Sequence, residues 1–345
     1  MPVDRALDAA AEAARSLAGG PVARVERVRG FGRNSGVYRV RAGGTSYALK
    51  QYPPPRPGER ARAAVEFTAL SFMAAHSIAV VPQAFAVDPL SGYVLLEWIA
   101  GDPVDAPDLA DISSASAFLG AVHALRNESA AVALPPAAEA CLSGSEIIAQ
   151  IERRLARLGE VAAPAEAVAV FIEGTLRPLL NEIAVWVKAA YAAAGLSLGQ
   201  PVDAAAQTLC PSDFGFHNAL RRPSGQLVFI DFDYFGWDDP VKLTADFILH
   251  PGMRLAETLK RRFAAAAIAV YCDDPAFRTR LALLYPLFAL RWCLILLNEF
   301  LPERWANRIN AGGQPDWEMA KQRQLDRARE WAQSLAATFQ RFPYE

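Results

Sequence analysis

The stretch TLCPSDFGFHNALRRPSGQLVFIDFDYFGWDDP, residues 208–240, decides the reading of this chain. Within it, Asp213 and Asn218 stand five apart in a loop that follows the strand-like run AAAQTLC. Asp231 lies eighteen residues beyond Asp213, at the end of the next strand-like run, QLVFIDF, which begins after the turn signal Pro223-Ser-Gly225. Three oxygen-bearing side chains at the ends of neighbouring strands suit phosphoryl transfer. That chemistry needs an oriented hydroxyl, a divalent cation bridging the phosphates, and cations or N–H groups around the moving oxygens. A hard cation takes oxygen ligands, so the arrangement fits one base and two metal ligands.

Upstream, the pattern is that of strands with one helix among them. VARVERVR (22–29), SGVYRVR (35–41) and TSYALKQ (45–51) alternate in polarity, and Ala42-Gly-Gly44 can turn the second into the third. Four prolines between 53 and 57 then break extension. GERARAAVEFTALSFMAAH (58–76) follows, with Ala63, Phe67, Leu70 and Ala74 at helical spacing. AFAVD (84–88) and YVLLEW (93–98), joined by the turn Pro89-Leu-Ser-Gly92, complete a β-β-β-α-β-β order. Beyond Asp102-Pro103 the period changes to helical, with helices expected near 110–127, 145–160, 164–195, 255–271, 275–301 and 317–340, the third kinked at Pro178. The predicted architecture is α+β: residues 1–98, with an N-terminal helix, as one lobe, and 99–345 as a mostly helical second.

Composition narrows the function. In 345 residues, 52% are hydrophobic and 21% charged, which describes an ordinary globular protein long enough for two lobes. A formal charge of −2 with no basic block leaves no footprint for a nucleic acid or an anionic membrane, so neither is expected as a partner. Cys141, Cys210, Cys272 and Cys293 form no CxxC pair, and reduced thiols of a cytoplasmic protein are the expectation. The first 20 residues carry Asp, Glu and Arg through an Ala-rich stretch and show no export signal. The longest apolar run, Leu281–Leu301, contains Pro286, Arg291, Asn298 and Glu299 and reads as a buried helix.

The two motifs, taken together, resemble those of the aminoglycoside phosphotransferase and choline kinase-like small-molecule kinases, H-G-D-x-H-x-x-N followed by I-D-x-[DE]. The segment Gly236-Trp-Asp-Asp-Pro240 with Asp246 continues the likeness. The resemblance implies a bilobal protein-kinase-like fold that binds ATP and Mg²⁺ in the cleft between the lobes. It places Asp213 as the catalytic base and Asn218 and Asp231 as metal ligands, with Asp233 either a further metal contact or a backbone acceptor. Lys50 in Tyr47-Ala-Leu-Lys50 would grip the nucleotide phosphates, paired with Glu66 on the following helix. Gly30, Gly32, Asn34 and Ser35 would cover the phosphates, and Glu97, Trp98 and Ile99 would form the hinge against adenine. The glycine loop precedes a strand and lacks Gly-Lys-Ser/Thr, which excludes a Rossmann fingerprint and a Walker loop.

This chain departs from the pattern at Pro211-Ser212, where the family has His-Gly, and at Gly215 and His217, where it has His and Gly. All the oxygen ligands remain, so an active phosphotransferase acting on a small-molecule hydroxyl (a sugar, an amino alcohol or an aminoglycoside-like compound) is the expectation. The alternative is a nucleotide-binding pseudokinase with a regulatory role. For the acceptor pocket, Arg291, Trp292, Asn298 and Glu299 are candidates in an apolar helix, with Arg291 equally readable as a buried ion pair. Asp233, Asp238, Glu299 and Glu303 are the acidic residues a polycationic acceptor would use, balanced by Arg291 and Arg304. Acceptor identity and oligomeric state are left open.

Overall fold

The computed structural model describes residues 3–28, 35–55, 58, 60–163, 166–305 and 316–344. By packing, the chain forms two compact units: residues up to Ala138 together with Leu209–Trp237, and Glu139–Thr208 together with the described residues from Asp238 on.

In the first unit, five antiparallel strands run β1 (Val22–Arg27), β2 (Gly36–Ala42), β3 (Thr45–Gln51), β4 (Ala84–Asp88) and β5 (Tyr93–Glu97), in the spatial order β1-β2-β3-β5-β4. The meander thus places β3, which carries Lys50, in the centre, with Lys50 opposite Val37 on one side and Val94 on the other. The Ala-rich helix α1 (Val3–Leu17) covers one face, burying Ala10 and Ala14 against Tyr38, Val40, Leu49, Tyr93 and Leu95. Helix α2 (Arg62–Ala75) follows β3 and buries Ala63, Glu66, Ala69, Leu70, Phe72 and Met73.

The β4–β5 turn shows why it needs glycine. Gly92 sits at φ +76°, and a Cβ there would meet the Tyr52 carbonyl oxygen at 2.5 Å. Asp88 accepts the N–H groups of Leu90 and Ser91 to close the same turn.

The first unit takes in more than residues 1–98 because the returning segment 209–237 packs there. Phe118 of α3 (Leu109–Ala124) stacks on Phe214 and Phe229, and Ile99 clusters with Leu220, Val228 and Ile230. Short strands β6 (Asp102–Pro103), β8 (Ala219–Arg221) and β9 (Leu227–Phe229) form a three-stranded sheet in the order β6-β8-β9. The break at residue 98 is therefore one of secondary-structure content, whereas packing divides the chain elsewhere.

The second unit is helical: α4 (Gly144–Val161), α5 (Ala167–Phe171), α6 (Arg177–Ala193), α7 (Pro240–Leu249), α8 (Glu257–Val270), α9 (Phe277–Leu296) and α10 (Trp317–Thr338). The predicted helix over 164–195 is divided by a π-helical stretch, Ile172–Leu176, with Pro178 at the start of α6. Proline has no N–H to donate back and its ring crowds the preceding turn, which widens there. Helix α9 is the apolar run, and α4, α6, α7 and α10 pack against it, so it is the core of this unit. Helix α7 was not anticipated from hydrophobic period. It is buried along its whole length, which erases the amphipathic signal, and Asp239 caps it by accepting the Val241 N–H, with Pro240 in the first turn.

Candidate active site

Lys50 is buried in the central strand, and its Nζ lies 2.7 Å from Glu66 Oε1 and 2.6 Å from Asp231 Oδ1. Burial alone would push the Lys50 pKa down, but the carboxylates of Asp231 and Glu66 outweigh it and raise it, so the ammonium stays charged. Glu66 is 1% exposed and fully engaged: Oε1 also accepts the Phe232 N–H at 3.2 Å, and Oε2 accepts the Tyr52 hydroxyl at 2.6 Å. A buried carboxylate with three partners is a fixed structural element.

The loop after β7 (Thr208–Cys210) is built by its own backbone. Ser212 adopts φ +70°, a conformation that glycine takes without strain, at the position where the expected motif has glycine. Its hydroxyl donates to the Ala138 carbonyl at 3.3 Å and its N–H contacts Cys210 Sγ at 3.2 Å. These contacts stand where the missing His-Gly would brace the loop. Asn218 donates from Nδ2 to the Asp213 carbonyl at 2.9 Å, which fixes the loop and turns the amide oxygen the other way. His217 Nε2 lies 3.0 Å from Asp213 Oδ1. Residue spacing alone left His217 merely adjacent to the site; the turn Phe216–Asn218 brings its ring onto the carboxylate.

Asn218 and Asp231 are tied together through the sheet. The Ile230 N–H donates to the Asn218 carbonyl at 2.9 Å, extending the β8–β9 ladder by one bond. Asp231 then takes φ +72°, uncommon for a non-glycine residue. Around it, the two cations Lys50 and Arg62 face the three carboxylates Glu66, Asp231 and Asp233. Glu66 and Asp233 side chains are each 1% exposed, whereas that of Asp231 is 32% exposed. The uncompensated negative charge therefore has its open face at Asp231. A partly exposed carboxylate carrying excess negative charge fits a hard divalent cation.

Asp233 is held by Arg62 through the guanidinium Nε and Nη2. Burial pushes its carboxyl up and the neighbouring Asp231 adds to this, while Arg62 and Lys50 oppose it. Arg62 keeps its charge and grips the carboxyl with two N–H groups, a geometry that favours the ionised form. Arg62 lies between the rings of Tyr52 and Tyr234, 4.9 and 4.7 Å from their centroids. Neither Arg62 nor Tyr52 was singled out from the sequence. The signals were present: Tyr52 follows Lys50 by two, on the same strand face, and Arg62 precedes Glu66 by four, on the same helix face.

At the end of β5, the Glu97 carboxylate pairs with Arg222 at 2.6 Å and accepts the Gln83 N–H, while Arg39 stacks on Trp98 at 4.7 Å. Ile99, Leu220 and Val228 are buried in a small apolar cluster with Ile230 packed against it. Ser35 is half-buried at the entry to β2; Gly30, Gly32 and Asn34 lie outside the described residues.

The sequence model of the phosphotransferase enzyme family matches residues 25–284, well over half of the chain. The chain belongs to that family. As a member it is a small-molecule phosphotransferase, and its fold is protein-kinase-like. Among solved structures, choline kinase LicA from Streptococcus pneumoniae is similar, with a TM-score of 0.58 at 16% identity over 95% of this chain and 98% of that one. Spectinomycin phosphotransferase APH(9)-Ia, solved with ADP and spectinomycin, gives 0.62 at 12% identity over 99% and 100%. An ethanolamine kinase from Plasmodium vivax gives 0.55 at 13% over 90% and 84%. At these identities the likeness is one of fold. Among curated proteins, none matches this sequence.

The charged residues considered above for the phosphotransferase's acceptor pocket are engaged or buried elsewhere in the described structure. Arg291 donates to Asp246 Oδ2 at 3.1 Å, and Trp292 Nε1 to Asp246 Oδ1 at 2.8 Å, which makes Arg291 a buried ion pair. Asp238 is fully buried, accepts the N–H groups of Cys141 and Asp239, and faces Lys242 at 3.1 Å. Glu303 pairs with Arg157 and Glu299 is 2% exposed. The four acidic residues considered for a polycationic acceptor thus do not make an open acidic wall.

Proposed function

We propose that this phosphotransferase moves the γ-phosphoryl group of ATP to a hydroxyl of a small molecule, using Mg²⁺. The observation that carries the reading is the continuous chain Glu66–Lys50–Asp231, joined through Ile230 and Asn218 to the backbone of Asp213. It puts a charged ammonium, an asparagine side chain and two partly exposed carboxylates on one connected scaffold. Solved structures of the same fold with bound ADP or AMP support nucleotide binding.

In this reading Lys50 neutralises the nucleotide phosphates. Asn218 and Asp231 would hold Mg²⁺, which supplies charge stabilisation to the phosphate oxygens. Asp213 accepts the proton of the acceptor hydroxyl as its oxygen bonds to the γ-phosphorus and the bond to the β-phosphate oxygen breaks, releasing ADP. The carboxylate needs no raised pKa, because in a loose transition state the hydroxyl becomes acidic late. His217, within hydrogen-bond distance of Asp213, aims that carboxylate. Choline, ethanolamine and aminoglycosides, the acceptors of similar structures, define the classes to assay, and the paired state of Asp238 and Glu303 favours an acceptor of low charge.

The test is ADP release from Mg-ATP across a panel of sugars, amino alcohols and aminoglycosides, repeated with Asp213→Asn. Acceptor-dependent release in the wild type, reduced about 10²–10⁴-fold in the variant, is expected. Undiminished turnover by Asp213→Asn would sink the assignment.

A further inference from the structure

The loop Asp231-Phe-Asp-Tyr234 is gripped at each successive residue from one strand and one helix. Lys50 of β3 holds the Asp231 carboxylate, and Glu66 of α2 takes the Phe232 N–H. Arg62, one turn earlier on the same face of α2, takes the Asp233 carboxylate and lies against the Tyr234 ring. Tyr52 closes the group, with its hydroxyl on Glu66 and 3.4 Å from Asp231 Oδ1, and its ring under Arg62. The loop needs such holding because Asp231 sits at φ +72°, a conformation that costs free energy and persists only where the surroundings impose it. Arg62 is suited to impose it: its planar fork matches a carboxylate and stacks on aromatic faces.

We propose that Arg62 is a positioning residue for phosphoryl transfer, which locks Asp233 and through it keeps Asp231 facing Lys50. In this assignment, which rests on the phosphotransferase reading above, Asp233 serves Arg62 and is not itself a metal ligand. The pair is 79% buried on the arginine side chain and 99% on the aspartate, so its geometry is fixed by packing as well as by charge.

The experiment compares Arg62→Met, Asp233→Asn, the double variant and Arg62→Lys with the wild type, using Mg-ATP hydrolysis with water as acceptor. Misplacing a reacting group by about an ångström costs on the order of 100-fold, so each single variant is expected to lower kcat about 100-fold. The KM for ATP should change no more than a few-fold, and any rise in the Mg²⁺ concentration for half-activation, which would come through Asp231, should be the same in Arg62→Met as in Asp233→Asn. Because both act through one contact, the double variant should be no slower than the slower single, and Arg62→Lys, which keeps the charge, should recover part of the loss. Hydrogen exchange at the Phe232 amide should quicken in Arg62→Met while the β2, β3 and β5 amides stay protected. Wild-type kcat in Arg62→Met, multiplicative losses in the double variant, or a raised Mg²⁺ requirement in Asp233→Asn alone would each overturn the proposal. Should Arg62→Met fail to fold, Tyr234→Leu, which removes only the stacking face, must still lower kcat; unchanged kcat there counts against it. An inactive Asp213→Asn beside a fully active Arg62→Met rejects the positioning role alone, whereas an active Asp213→Asn rejects the phosphotransferase reading.

Discussion

Two clusters of buried charge, one in each compact unit, invite comparison. In the first, Lys50 and Arg62 face Glu66, Asp231 and Asp233; in the second, Lys242, Arg280 and Arg291 face Asp238, Asp239, Asp246 and Asp274. Both hold more carboxylates than cations. They differ in access: the side chains of the second cluster are all at most 10% exposed, while Asp231 of the first is 32% exposed. Three of the second cluster's four carboxylates, Asp238, Asp239 and Asp274, also accept backbone N–H groups. Asp239 and Asp274 accept the N–H groups of Val241 and Ala276 near the starts of α7 and α9. Buried charge by itself does not mark a reactive site. An unspent carboxylate with an open face does, because only there can a ligand exchange for water.

The comparison breaks most sharply on removing one cation from each cluster. Lys50→Met is expected to lower phosphoryl transfer about 10²–10³-fold, the cost of losing one preorganised electrostatic partner, with a cooperative urea transition preserved. Arg291→Met should leave kcat per folded molecule within a few-fold of wild type and cost about 3–5 kcal/mol of stability, since Asp246 stays buried without its partner. Steady-state kinetics beside urea melts on both variants would show whether the two clusters divide into chemistry and architecture; equal kinetic losses would erase the distinction.

A smaller effect concerns protons. Burial raises the Asp239 carboxyl to about 7, against opposition from Arg280. The folded state therefore holds this proton more tightly than the unfolded chain. Between the ordinary carboxylate range and about pH 7, stability falls with rising pH through this group, the reverse of a carboxylate whose pKa is depressed. Asp239→Asn should flatten that slope in melts taken from pH 4 to 8; an unchanged slope would mean the group titrates normally.

The smallest effect is at Ser212. Its left-handed backbone costs roughly 1–2 kcal/mol, and its hydroxyl bond to Ala138 returns about 1 kcal/mol. Ser212→Gly should thus stabilise by roughly 0.5 kcal/mol, seen as a slightly higher urea midpoint. A loss above about 1 kcal/mol would show that the hydroxyl brace matters more than the strain.

The strands around Lys50 were legible because period-two alternation and glycine turns act locally, and β1 to β5 stand where the alternation puts them. Helix α7 was not, because a helix buried on all sides has no polar face to reveal its period. Arg62 was missed for a different reason. Its spacing from Glu66 marks a shared helix face, but a charge on an exposed first turn and a charge against a buried aspartate have the same sequence pattern. Arg291 shows the same limit: whether it faced an acceptor or an aspartate depended on Asp246, forty-five residues away.

By itself, the sequence determined the order of strands and helices, the family, and the oxygen-bearing residues that phosphoryl transfer would use. These follow from residue type and local spacing. Tertiary structure alone decided which carboxylates are spent and which is open: that Glu66 and Asp233 are sealed by Lys50, Tyr52 and Arg62, and that Asp231 keeps an exposed face. The physical reason is that a charge's role depends on its solvation and its partners, and both are set by residues distant in the chain that folding brings together.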